Sequence, residues 1–359
     1  MNAETRGGRH LRTLAGIAIL GAVVVLVGLT YGGASATTER VFVLFAINLV
    51  AAIGLQTFMG TTGVVSFGHI AFMGIGAYAA ALLTTPSVLK KSSIPDAPGF
   101  LRDADLSFLP ATVLAVLFTC FVGCLVGFAI VRLSGTSATI STYALLVIVG
   151  IAIINLPDVT RGNQTFYGIP KETTVGMAIL FAVAAIAVAR VFQDSRVGLL
   201  LRASREDQLS AAGSGVPVRR YRLYAWVLSI AIVAAGGSLY AHYVTAISPA
   251  SFSLQLTFVV VTMVIIGGRG TSGAFVGALL VTAINEIMRQ FNGQISIGSV
   301  ETEVGSLTPL ILGTIVIAIM VRRPGGLLGD REIDDVLAPL GRRLRLRAGK
   351  TEQPTAEKG

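Results

Sequence analysis

Pro110-Ala-Thr-Val-Leu-Ala-Val-Leu-Phe-Thr-Cys-Phe-Val-Gly-Cys-Leu-Val-Gly-Phe-Ala-Ile-Val131 runs for 22 positions without a charge. As a helix rising about 1.5 Å per residue, it is long enough to cross roughly 30 Å of hydrocarbon. Both cysteines, Cys120 and Cys124, lie in it four positions apart, on one helix face. That spacing suits small packing residues and supplies neither a disulfide framework nor a metal set.

The pattern recurs along the chain. Apolar segments of spanning length occupy 11–31, 41–59, 66–85, 110–131, 137–156, 173–193, 223–245, 251–268, 272–290 and 305–321. The segment 66–85 is rich in glycine, and 251–268 is short and opens after Pro249. Charged residues make up 13% of the 359 and hydrophobic ones 53%, against about 25% charged in soluble domains. The mean hydropathy is +0.76. A charge at the centre of a spanning helix costs about 2.5–3.5 kcal/mol on insertion scales, so charges collect in connectors and at the ends. The basic N-terminus followed by Leu11–Tyr31 is signal-like, but no small-residue cleavage site and polar domain follow it. A retained first helix is the expectation.

Orientation follows from the basic residues. With the N-terminus inside, 21 of the 28 Lys/Arg fall on the inner side and 7 outside. Acidic residues divide 10 inside and 8 outside, with Glu286 within a span. This is the positive-inside pattern, which Asp and Glu scarcely affect. It also accounts for the net charge of +9 without nucleic acid as a partner. The expected fold is an all-α polytopic membrane protein of ten transmembrane helices in the cell (plasma or inner) membrane, with N- and C-termini cytoplasmic. Residues 1–329 form the membrane domain, with an inner loop at 194–222. Residues 330–359 form a basic tail (Arg342, Arg343, Arg345, Arg347, Lys350), disordered or attached to anionic membrane lipid. Ten helices can divide as five plus five in opposite orientation, although no internal sequence match is visible.

Three segments carry further information. From Gly60 to Tyr78, glycines 60, 63, 68, 74 and 76 interrupt an apolar run that also holds Thr61, Thr62, Ser66 and His69. Such glycines permit close helix packing, or a broken helix whose backbone groups face a path. His69 is either a hydrogen-bonded packing residue or a functional group. In the inner loop, Ser204 with Asp207 is a weak capping-box signal, and Gly213 and Pro217 supply a stop. A helix over 205–212 is the expectation; alone in water it would be marginal, so it should dock on something. Gly267-Gly-Arg-Gly-Thr-Ser-Gly273 is a glycine-rich turn without the strand and Lys-Ser/Thr of a phosphate loop. Gly349-Lys-Thr351 also fails, because Leu344 stands where that loop needs glycine. No ATP-hydrolysing site is expected in the chain.

Taken in order, these segments resemble the permeases of Liv-type (branched-chain amino-acid) ABC importers. The matching stretches are Ser66–Tyr78, Ser195–Val216, Ala234–Gly237, Ser248-Pro249 with Phe252, Ile265–Gly273 and Pro324-Gly-Gly-Leu327. The resemblance covers about residues 40–329 and is nearer to the M-type subunit than to the H-type. It implies a second related permease subunit, two ATP-binding-cassette ATPases that bind the ATP, an external substrate-binding protein, and no cofactor in this chain. By the same resemblance, contact with the ATPases falls to Ser195, Gly198, Arg202, Ala203, Arg205, Glu206, Asp207, Ala211, Gly215 and Val216, with Arg205 and Glu206 foremost. The translocation path would take Thr62, Ser66, Gly68, His69, Phe72 and Gly76. Departures from the family are Ser204 and Gln208 in the loop, and Arg161, Gln164 and Thr165 in the external stretch 160–170. The last three leave cargoes other than Leu, Ile and Val open, such as urea, short amides or sugars. A secondary transporter would need a coupling ion or proton site, for which only His69, His242 and Glu286 are available. Glu286 has Arg289 one turn away, the spacing of a local ion pair. No His/Asp/Glu cluster has metal or acid–base spacing.

Overall fold

The computed structural model describes residues 6–33, 35–290, 294–297, 300–303, 308–323 and 325–333. The basic residues from Arg342 to Lys350, Pro324 of the closing stretch and the first residues of the last expected span lie outside them. The helices are α1 Arg6–Tyr31, α2 Ala36–Thr62, α3 His69–Thr84, α4 Ser87–Ser93, α5 Gly99–Arg102, α6 Phe108–Ile130, α7 Gly135–Ile154 and α8 Pro157–Thr160. They continue with α9 Val175–Asp194, α10 Arg196–Glu206, α11 Gln208–Gly213, α12 Val218–Val244, α13 Leu254–Gly267, α14 Thr271–Gln290 and α15 Thr308–Arg322. Two short antiparallel pairs complete the chain: β1 Phe166–Tyr167 with β2 Ala246–Ile247, and β3 Gln294–Ile297 with β4 Val300–Glu303.

Each of the ten expected spans coincides with a helix. Among the described residues, eight are long and apolar enough to cross a membrane outright: α1, α2, α6, α7, α9, α12, α14, and α13 with the 3-10 turn Pro249–Phe252 before it. Among the described residues the count by length and composition is therefore eight, or nine with α3, beside the ten expected from sequence. The 16-residue α3 is apolar but joins α4 through a 114° bend, and α15 contributes only a shorter apolar helix. At about 1.5 Å per residue α3 is some 24 Å long. It can be short because it starts inside the bundle. His69 at its first position faces Ser229, eleven residues and so about 16 Å along α12.

Burial sorts the helices. α2 is enclosed on nearly all sides, polar Gln56, Thr57 and Thr61 included. α6 turns Leu117, Phe118, Phe121, Leu125 and Phe128 outward, a surface suited to hydrocarbon. Where helices meet closely, glycine makes the room. A Cβ on Gly237 of α12 would lie 2.0 Å from the Met73 carbonyl oxygen of α3, a small-residue contact of the kind that packs membrane helices. At the end of α3, the Lys90 ammonium is buried and donates to the carbonyl oxygens of Leu82, Leu101 and Ala104. It thereby fixes the 85–106 connector.

The packing repeats with reversed sense. α3 packs on α6, α7 and α12, and α13 packs on α14, α15 and α2; α6 lies on α12 as α14 lies on α2. α2 and α12 are antiparallel, with Phe58 near Trp226, Gly54 near Val233 and Val50 near Gly236. α1 and α9 are antiparallel too, through Gly21–Val183 and Gly28–Ile179. The five-plus-five division is thus α1, α2, α3, α6, α7 against α9, α12, α13, α14, α15. It is written in packing partners and not in sequence identity.

Candidate functional site: the broken helix and the coupling segment

α2 ends at Thr62 because Gly63 adopts φ 72° and returns its N–H to the Met59 carbonyl, the left-handed stop that glycine permits. Residues 63–68 are not helical before α3 begins at His69. The expected break is present, but several of its backbone groups are paired inside the chain. Thr139 Oγ1 of α7 donates to the Val65 carbonyl oxygen at 3.0 Å, and Thr142 Oγ1 accepts from Phe67 N at 3.2 Å. Sequence reasoning missed these two threonines. Their signal was polar side chains three apart on one face of an apolar helix.

Each residue named for the path has a place in this joint. Thr62 Oγ1 donates to the Phe58 carbonyl oxygen and accepts from Val64 N. A Cβ on Gly68 would lie 2.7 Å from the Thr142 carbonyl oxygen, and one on Gly76 would lie 2.6 Å from that of Ala234. Phe72 is buried edge-on to Trp226 at 5.6 Å. Ser229 Oγ donates to the Trp226 carbonyl oxygen at 2.7 Å, so it accepts from His69 Nε2 at 2.8 Å. That leaves His69 Nδ1 to accept from Ser66 Oγ at 2.7 Å. The imidazole, 1% exposed between Phe58 and Trp226, is a neutral tie between α3 and α12. The six residues therefore gather where α2, α3, α7 and α12 meet, and their side chains are satisfied within the chain.

The inner loop is built in two helices, α10 and α11, instead of the single helix expected over 205–212. Ser195 caps α10 by accepting from Gly198 N. Gly198 is required there, since a Cβ would lie 2.2 Å from the Phe192 carbonyl oxygen. Ser204 is inside α10, its hydroxyl donating to the Leu201 carbonyl oxygen at 2.8 Å, so it is not the cap. Asp207 is the cap. Its Oδ1 accepts from Leu209 N and Ser210 N at 2.9 and 3.0 Å and opens α11. The Ser210 hydroxyl, then its amide, hold the exposed carboxyl below the usual Asp range. α11 closes on Gly215 at φ 79° with Val216 N donating to the Ala211 carbonyl oxygen. Leu209 at its tip is 87% exposed, and Ala203, Glu206 and Asp207 are exposed beside it.

Arg205 faces inward. It leaves the last turn of α10, packs over Gly63 and donates from Nη1 to the Gly60 carbonyl oxygen at 3.2 Å. Gly60 lies in the last turn of α2, where carbonyls lack intrahelical partners, so the guanidinium is a C-cap supplied from another helix. Arg205 Nη2 also reaches Glu206 at 3.1 Å and Asp330 at 3.8 Å, and Arg269 pairs with the other oxygen of Asp330 at 3.6 Å. Arg202 donates to the Gln193 carbonyl oxygen at 2.9 Å and lies 3.7 Å from Asp194. Asp194 pairs with Arg190, which meets Glu332 at 2.6 Å. Glu332 caps the other end of the system, accepting from Thr271 N and Ser272 N at the start of α14. Residues 330–333, assigned to the tail by sequence, are thus joined to the membrane helices.

On the opposite face of the bundle, β1 and β2 hold the 160–170 stretch. Arg161, at φ 66°, lies over the Tyr167 ring at 4.4 Å and donates to the Thr165 carbonyl oxygen at 2.8 Å. Of the other ionisable groups, His242 donates through Nδ1 to the Ser238 carbonyl oxygen at 2.8 Å and places Nε2 2.9 Å from Thr84 Oγ1. Glu286 is held by Arg289 through two bonds. No group of three metal-ligating side chains occurs among the described residues.

Comparison with known proteins extends this picture. A family model described as "Branched-chain amino acid transport system / permease component" matches residues 37–320. The high-affinity branched-chain amino acid transport system permease protein LivM of Escherichia coli is 26% identical over 326 residues, covering 81% of this chain and 70% of the relative. LivM of Salmonella typhimurium is 26% identical over 317 residues, 79% and 68% of the two chains. The probable permease LivH of Methanocaldococcus jannaschii is 28% identical over 144 residues, 40% of this chain and 44% of the relative. No solved structure matches. With its multi-pass helical bundle and a match across most of its length, the chain belongs to the family of branched-chain amino acid transport system permease components.

Proposed function

We propose that the chain is the M-type permease subunit of an ABC importer that moves branched-chain or other hydrophobic amino acids inward. A second, H-type permease would complete the path, and two ATPases would bind and hydrolyse the ATP at the cytoplasmic face carrying α10 and α11. An external binding protein would deliver cargo to the opposite face. The observation that carries this reading is α11. It is a capped, six-residue helix with no buried residue, and Leu209 in its first turn is exposed. So short a helix would not be stable alone in water, and an exposed apolar anchor on it suits a groove in a partner.

A proton- or ion-coupled transporter is less favoured, because His69, His242 and Glu286 each engage a neighbour in the chain. The test is purification from native membranes in mild detergent with mass spectrometry of what accompanies the chain. A second permease and two ATPases are expected with the wild type, with the ATPases lost from Leu209→Glu and reduced with Glu206→Lys. A chain that purifies alone and is indifferent to Leu209→Glu would overturn the reading.

A further inference from the structure

Between the last turn of α2, the end of α10, the end of α13 and α15 lies a cavity of about 390 Å³. Its volume is within the range of small-molecule sites, roughly 300–1,000 Å³. Met59, Val65, Val264, Ile265 and Met320 give it apolar lining. Among them stands Gln56, 1% exposed, whose Nε2 has no hydrogen-bond partner among the described residues. A buried amide donor left unpaired costs about 1–3 kcal/mol, so this group is poised for an acceptor that enters the cavity. The mouth is charged with both signs, carrying Arg205 and Arg269 with Glu206, and Asp330 joins the two arginines. A guanidinium has five N–H donors, and Arg269, half exposed, engages Asp330 through one nitrogen at 3.6 Å.

We propose that this cavity is a product-side site for a hydrophobic amino acid. The aliphatic side chain sits against Met59, Val65 and Ile265, the carboxylate meets Arg269 and the Gln56 amide, and the ammonium meets Glu206. The residues suit a zwitterion with an apolar tail better than a sugar, which would leave the apolar lining without a partner. Because the cavity is bounded by both α10 and α2, occupancy would hold the coupling segment against the membrane helices and slow ATP hydrolysis when product accumulates. This deepens the importer reading and rests on it for the choice of cargo, while the cavity itself belongs to this one chain.

The experiment is equilibrium binding of tritiated L-leucine to the purified permease complex in detergent, without the external binding protein, with glycine and L-leucinamide as competitors. Saturable binding is expected in the wild type, weakened about tenfold by Gln56→Leu, the loss of roughly one hydrogen bond to a charged group. Val65→Phe, elsewhere in the lining, should abolish it by filling the space. Leucinamide and glycine should compete poorly, one lacking the carboxylate and the other the side chain. Leucine binding that is absent from the wild type, or that is unchanged by both Gln56→Leu and Val65→Phe, would overturn the proposal. The importer reading fails separately, by the absence of ATPases from the preparation, and leucine binding to the permease can be read in either case.

Discussion

Arg205 was expected on the surface that meets the ATPases, and the structure turns it toward α2. Its guanidinium caps the Gly60 carbonyl at the end of α2 and lies against Gly63, where the broken segment begins. Replacement by Met should leave the ATPases attached and hydrolysing while leucine uptake per ATP falls about tenfold, within the usual range of coupling energies between sites. Loss of the ATPases from Arg205→Met preparations would return the residue to the partner surface. A second residue-scale prediction concerns His69. Ser229→Ala leaves the Nε2 donor of a buried imidazole unpaired, which should cost about 1–3 kcal/mol in thermal unfolding. If His69 only ties α3 to α12, the folded fraction should transport normally; a proton relay through His69 would show as lost uptake at unchanged stability. The inward turn of Arg205 was not legible in sequence, because it depends on where α2 stops, and that is settled by the left-handed Gly63. The bond from His69 to Ser229 was equally hidden, since the two residues are 160 apart in sequence.

At the level of elements, apolar length carried most of the information. Every expected span coincides with a helix, but length did not reveal that α3 starts deep in the bundle. The inner loop of α10 and α11 shows why boundaries are harder. Ser204 and Asp207 have the capping-box spacing, yet Ser204 is committed to the buried face of α10 and Asp207 supplies the cap instead. The consequence is a pH dependence. A carboxyl held below its usual range contributes stability above the ordinary Asp pKa of about 3.9 and loses it as pH falls through the lowered folded value. Amide exchange in α11, after correction for its intrinsic pH dependence, should therefore be flat from neutral to mildly acid pH and rise only in strong acid. Asp207→Asn, which can still accept from Leu209 N, should remove that rise without unfolding α11 at neutral pH; a rise that persists in the variant would exclude Asp207 as its source.

For the molecule as a whole, the opposed halves meet through α2 and α12, and close packing there leaves little slack. Gly237→Ala would put a methyl 2.0 Å from the Met73 carbonyl oxygen. Overpacking of this kind costs about 1–3 kcal/mol or more, which should appear as a lower melting temperature in detergent while the same change at the open Gly150 has little effect. The halves were suggested by the even helix count but became visible only as matching packing partners, since no sequence repeat records them. The transport assignment is tested most directly by uptake. Proteoliposomes carrying this chain with the second permease and the ATPases, ATP enclosed and binding protein outside, should accumulate leucine only when both are present. Accumulation driven by an ion gradient without ATP, or by this chain alone, would contradict the account.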